Sequence, residues 1–244
     1  MNIRILCTLF FLLSHVTLAA ELTPEGYVKA YSSGTEQEQS INESLAWAGL
    51  SDPEIFDPIE QQLLNAYLSK QSKDKIDYLS WLAKGLGFSG NPKYIPSLTT
   101  IAKDAKSKKL RRHAESALAI LSKYQQWNPI IAPDAGIGLP YPTTSQRLKN
   151  MLDSNDMELI RVAAKRMYLS RMSDHELIST ASKLIEKHYQ SDGDKVFIDT
   201  VAWLCKAVAN SKNPQYKPLI ERVSTSANNK KLRNYARKYL NYYN

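Results

Sequence analysis

The sequence predicts an all-α protein, an α-solenoid built from two duplicated halves. Three observations predict it. Ser51–Ser122 can be laid over Ser173–Asn244 at an offset of 122 with no gap. Between capping signals the apolar residues recur at helical spacing, as Leu110, Ala114, Ala117, Leu118 and Leu121 do in KKLRRHAESALAIL. No segment sustains the alternation of a strand. The identities at that offset include Asp77/Asp199, Trp81/Trp203, Lys84/Lys206, Pro92/Pro214, Tyr94/Tyr216, Lys108/Lys230, Lys109/Lys231 and Arg111/Arg233. Self-similarity at a fixed period is the mark of a repeat architecture.

Residues 1–20 read as an export signal, to be cleaved near Ala19 or Ala20. Arg4 supplies a basic start, ILCTLFFLL a short apolar run, and VTLAAE a small-residue end. The run is too short to span a bilayer comfortably, and no later segment is apolar for long enough to do so. No Leu-x-x-Cys precedes the cleavage position, which opposes a lipoprotein. The mature chain is therefore expected to be exported, periplasmic or secreted, with no membrane span. Cys7 leaves with the signal and Cys205 remains alone, so no intrachain disulfide is available. The mature balance is 31 Lys+Arg against 24 Asp+Glu, a net charge of +7. That excess suits an acidic partner or an anionic surface.

The N-terminal half, 21–122, and the C-terminal half, 143–244, open their matched parts with SDPE and SDHE. Each reads as a capping box in which Ser51 or Ser173 faces Glu54 or Glu176. Asn91-Pro92 and Asn213-Pro214 place a capping residue before a first-turn proline. Pro96 and Pro218 then mark where the main helix starts, because proline breaks a helix interior. Between the halves, 123–142 is a Pro/Gly-rich apolar connector. Its stretch YQQWNPIIAPDAGIGLPYP opposes a helix yet carries Trp127 and Tyr141, too apolar for a free linker. It either packs across the junction of the halves or offers apolar contacts to a partner.

Helix pairs of the form Asn-Pro-x-x-x-Pro-x-Leu, a basic turn, then Leu-Arg-x-x-Ala-x-x-x-Leu resemble HEAT-type repeats. MELIRVAAKRMYL, Met157–Leu169, is similar to the second helix of another unit, with Ile160-Arg161 in the Leu-Arg place. The acidic residue often found before the second helix is Asp104 in one copy and Ser226 in the other. Residues 21–50 match poorly, as a degenerate terminal cap does. The resemblance implies about three helix pairs per half and a concave surface suited to binding.

The candidate binding residues are Asp77, Trp81 and Lys84, with Asp199, Trp203 and Lys206. Spacings of four and seven put each trio on one helix face, opposite Leu79, Leu82 and Leu86 or Val201, Leu204 and Val208. Two readings stay open: paired stripes that grip a partner, or Asp caps and Trp filler between helix pairs. Lys108, Lys109, Arg111 and Arg112, with Lys230, Lys231, Arg233 and Arg237, form two candidate anion or acidic-partner patches, or a solvated surface. Cys205 aligns with Ala83 and reads as a small core residue. His113, His175 and His188 lack metal-ligand spacing, and no phosphate loop or nucleophile elbow occurs. No catalytic residue, metal or cofactor is expected.

The function expected is an exported scaffold that binds another protein, an acidic one, through its concave face. It would serve as an envelope adaptor or as an inhibitor of the immunity-protein type. The alternative is a binder of an anionic envelope polymer through the paired basic patches. A more distant one is a HEAT-like nucleic-acid enzyme of the glycosylase plan, which the export signal opposes, so no nucleic acid is expected.

Overall fold

The computed structural model describes residues 22–243, and the export signal expected over 1–20 lies outside them. Among the described residues there is no strand, and twelve α-helices follow one another. The first six are α1 Pro24–Ser32, α2 Gln39–Ser44, α3 Pro53–Ala66, α4 Lys73–Phe88, α5 Ile95–Asp104 and α6 Lys108–Ile131. Then come α7 Thr144–Leu152, α8 Met157–Leu169, α9 His175–His188, α10 Lys195–Asn210, α11 Lys217–Ser226 and α12 Lys230–Tyr239. Short 3-10 turns follow α2, α4, α10 and α12, at Leu45–Trp47, Pro92–Tyr94, Pro214–Tyr216 and Leu240–Tyr243. The bounds of α3, α4 and α5 recur in α9, α10 and α11, 122 positions later, and so do the two Pro-x-Tyr turns.

Local chemistry explains most boundaries. Asn91 and Asn213 accept from Lys93 N–H at 3.0 Å and Gln215 N–H at 3.1 Å, closing the matched 3-10 turns. Pro96 and Pro218 sit in the first turn of α5 and α11, where a missing N–H costs nothing. The two capping boxes expected at SDPE and SDHE do not form. Ser51 Oγ instead donates to Ser89 O at 2.7 Å, and Asp52 is the N-cap of α3 without a side-chain capping bond. At α9 the cap is Asp174, which accepts from Glu176 and Leu177 N–H groups. A reciprocal box is found at α7, between Thr143 and Gln146.

Two apolar clusters form the interior. One gathers residues from Tyr27 to Leu121, the other from Tyr124 to Ala236. α4 and α10 are buried on several sides: Leu79, Leu82, Ala83 and Leu86 in one, Val201, Leu204, Cys205 and Val208 in the other. Such a helix is apolar over most of its circumference because neighbours cover it from more than one direction.

α6 belongs to both clusters, and it overturns one expectation. The connector reads as non-helical from Tyr124, but α6 runs on to Ile131 with Pro129 inside it. Leu110, Ala114, Ala117 and Leu121 serve the first cluster, then Tyr124, Trp127 and Ile131 the second. That burial outweighs the single helical hydrogen bond that Pro129 removes. Asn128, 3% exposed, ties the crossing: its Nδ2 lies 2.9–3.1 Å from Leu50 O, Ser51 Oγ, Phe88 O and Ser89 O. The non-helical part, beyond Ile131, is pinned to the first half where Asp52 accepts from Ile137 N–H and Glu25 from Gly138 N–H.

Candidate binding face

The two Asp-Trp-Lys trios sit half-buried on α4 and α10. Lys84 Nζ lies 4.3 Å from the centre of the Trp81 ring, and Lys206 Nζ 4.7 Å from that of Trp203. A cation above an indole face is held by the ring quadrupole. The aspartates differ in partner. Asp77 accepts from Lys109 of α6, whereas Asp199 faces Arg161 of α8 at 3.4 Å. The Lys109 hydrogen bond holds the Asp77 carboxyl below its usual range.

Structure adds residues that the repeat alone did not reveal. On α8, Lys165 Nζ lies 5.3 Å from the Trp203 ring, and Tyr168 meets that ring edge-on at 5.9 Å. Lys206 also covers Tyr168 at 4.0 Å, and Tyr242 donates to the Tyr168 hydroxyl at 3.4 Å. That bond, with Lys206 nearby, lowers the Tyr168 pKa, while burial and the same bond push Tyr242 up to about 12. Next along α8, the Arg166 guanidinium stacks over Trp47 at 4.0 Å. Glu43, one helical turn before Trp47, acts on Arg166 and on Lys84 alike and favours their charged forms. Trp81, Lys84, Glu43, Trp47, Arg166, Lys165 and Trp203 are thus linked through successive contacts and fields from one half of the chain to the other.

These cations are partnered by rings rather than by carboxylates. Some cations elsewhere do meet carboxylates: Lys75 with Glu36, Lys93 with Asp57, Lys149 with Asp153, and Arg222 with Glu186. Among the described residues, Lys84, Lys165, Arg166 and Lys206 have no carboxylate within ion-pair distance and rest on aromatic rings instead. Burial lowers the pKa of Lys84 and Arg166, the expected direction for a cation removed from water.

The two basic patches are less free than their composition suggests. Arg111 donates to Ala105 O at 2.6 Å, and Arg233 to Ala227 O and Asn228 O, so both close the carbonyl end of the preceding helix. Lys109 is held by Asp77, and Arg237 leans on Asn234. Lys108, Arg112, Lys230 and Lys231 are exposed, with Lys231 5.7 Å from the Tyr235 ring. His113, between Lys84 and Lys109, has its pKa lowered by burial and by those charges.

Of the connector residues, Trp127 is 7% exposed and donates to Asp156 at 2.7 Å. Tyr141 donates to Ala48 O at 2.8 Å and carries Arg147 over its ring at 4.4 Å. Both are packed within the molecule. Cys205 is fully buried, and burial pushes its thiol up to about 12. Among the described residues no His, Cys, Asp and Glu side chains group as metal ligands, and no helix is long and apolar enough to cross a membrane.

The chain matches no family model, no curated protein and no solved structure.

Proposed function

We propose that the protein is an exported, duplicated α-solenoid of HEAT-like helix pairs that binds an acidic protein through the face carrying Trp81/Lys84 and Trp203/Lys206. The observation that carries this reading is the set of four cations resting on aromatic rings with no carboxylate of their own. Such cations are partly desolvated before binding, so a partner's carboxylates gain more from them than from fully hydrated surface lysines. The tryptophans beside them are the residue type that anchors interfaces. The matched helix bounds at one offset support the duplication, and the net charge of +7 on the mature chain supports an acidic partner. An envelope adaptor and a neutralising partner of a toxin or enzyme both fit this chemistry.

The test is affinity capture by the mature protein from its own envelope and secreted fractions, beside a Trp81→Ala/Trp203→Ala variant of equal stability. One acidic protein retained stoichiometrically by the wild type and lost by the variant is the expected result. Equal retention by both removes this face from the function. A second reading, binding of an anionic envelope polymer, draws on the exposed Lys108, Arg112, Lys230 and Lys231. It predicts capture of polymer that collapses with salt and ignores the tryptophan substitutions.

A further inference from the structure

We propose that Lys84, Arg166 and Trp47 form a carboxylate-binding subsite for an acidic segment of the partner, with Glu43 as its built-in competitor. This rests on the acidic-partner reading and names where that partner's charge is read.

The geometry begins in α2. Glu43 and Trp47 lie in the segment made by α2 and the 3-10 turn that continues it, and that segment packs on α4, where Leu45 meets Gly85 beside Lys84. Trp47 carries the Arg166 guanidinium 4.0 Å above its ring. The Nε of Arg166 is buried, and no hydrogen bond or ion pair engages the side chain among the described residues. The buried Nε is out of a ligand's reach, so the two Nη groups are the donors that would fork onto an incoming carboxylate. Lys84 approaches from α4, resting on Trp81 at 4.3 Å.

Glu43 is the one acidic side chain that acts on both cations, and it stays outside ion-pair distance of either. Its carboxylate is held instead by Gln39 Nε2 at 2.5 Å. It therefore offsets two positive charges without occupying their donors. That combination keeps the cations stable in the free protein and leaves them available to a stronger, incoming carboxylate. The other groups near Arg166 are Tyr27 and Arg147, and Lys109 and His113 are the further basic groups near Lys84. None of them is a carboxylate, so Glu43 sets the balance.

The experiment measures binding of a fluorescent peptide of about ten glutamates to the mature protein by anisotropy at low ionic strength, with dextran sulfate as the second probe. Glu43→Gln is expected to tighten the peptide about three- to tenfold, since one repulsive charge near two binding cations is removed. Lys84→Gln and Arg166→Lys are expected to weaken it by similar factors, the second because a point charge cannot fork. Glu43→Gln is a near-isosteric change at a half-exposed position and keeps the test independent of folding. Wild-type binding that Glu43→Gln leaves unchanged or weakens overturns the subsite and spares the acidic-partner reading. No wild-type binding to the peptide overturns both. Tighter binding of dextran sulfate with the same variant pattern overturns the carboxylate in favour of a sulfated polymer.

Discussion

The Arg166 guanidinium lies 4.0 Å above the Trp47 ring, joining a residue that precedes the long crossing helix α6 to one that follows it. Trp47 ends the short helical segment that covers α4, and Arg166 projects from α8 in the second cluster. The contact therefore does two things. It helps fix the N-terminal helices against the C-terminal ones, and it holds a cation on the candidate face. A double-mutant cycle of Trp47→Ala and Arg166→Ala should show a coupling of about 1–2 kcal/mol by urea unfolding, as for a partly desolvated cation–π pair. Additive losses within a few tenths of a kcal/mol mean that the two side chains are merely adjacent.

Asn128 should be the costliest polar truncation in the protein. Its amide faces four acceptors at the junction of α3, α4 and α6, three of them backbone carbonyls. Asn128→Ala leaves buried acceptors without a donor, so a loss of about 2–3 kcal/mol is expected. Gln61 is the contrast: an exposed amide on α3 whose side chain, among the described residues, reaches only Asn65, at 3.0 Å. Gln61→Ala should change stability by less than about 0.5 kcal/mol. Similar small losses at both positions would show that water satisfies the junction.

Acid should destabilise the fold through three carboxylates. The Lys109 hydrogen bond lowers Asp77. Burial raises Asp57, but hydrogen bonds from Lys93 and Tyr94 outweigh it, and the Gly138 N–H lowers Glu25. A carboxyl with a depressed folded pKa contributes stability that is present above its unfolded pKa of roughly 4 and lost as pH falls through the folded value. Stability is thus expected to be flat near neutrality and to fall below about pH 4. The triple variant Glu25→Gln/Asp57→Asn/Asp77→Asn should lose stability at pH 7 and show a shallower acid slope. An unchanged slope assigns acid sensitivity to other groups.

Much of the helical arrangement is legible in the sequence because its signals are local. The asparagine caps, the first-turn prolines and the apolar stripes act over a few residues, and the 122-residue self-match doubles each of them. What the sequence hides depends on partners far along the chain. Ser51 reads as a cap because Glu54 follows it, but its hydroxyl is drawn to Ser89 O, 38 residues away. Tyr124–Ile131 reads as non-helical because it opens a stretch rich in proline and glycine, yet Tyr124, Trp127 and Ile131 have a second cluster to bury in. At the candidate face the Asp-Trp-Lys trios are visible as repeats. Trp47, Lys165 and Arg166 are not, since none recurs at the offset and their meeting is purely tertiary. Lys165-Arg166, on a helix already matched to the repeat pattern, is the signal that was available.

One matched pair of positions carries opposite demands. Gly90 and Lys212 are 122 residues apart, and both have left-handed backbones, φ 62° and 57°. The conformation therefore belongs to the turn after α4 or α10, not to glycine. Space separates them: Gly90 is buried and Lys212 exposed. A Cβ at Gly90 would lie 2.4 Å from Gln125 N and 2.5 Å from Tyr124 C, backbone atoms of α6 that cannot swing aside. Gly90→Ala is expected to cost about 3 kcal/mol or more, combining overpacking with left-handed strain. Lys212 bears only the strain, roughly 1–2 kcal/mol, of which glycine's larger unfolded-state freedom returns part. Lys212→Gly should therefore stabilise by a few tenths to about 1 kcal/mol. Thermal or urea unfolding of the two variants checks both signs at once. Equal, small effects of the two substitutions would mean that α6 does not press on Gly90, and the close crossing of α6 over the α4 turn would have to be withdrawn.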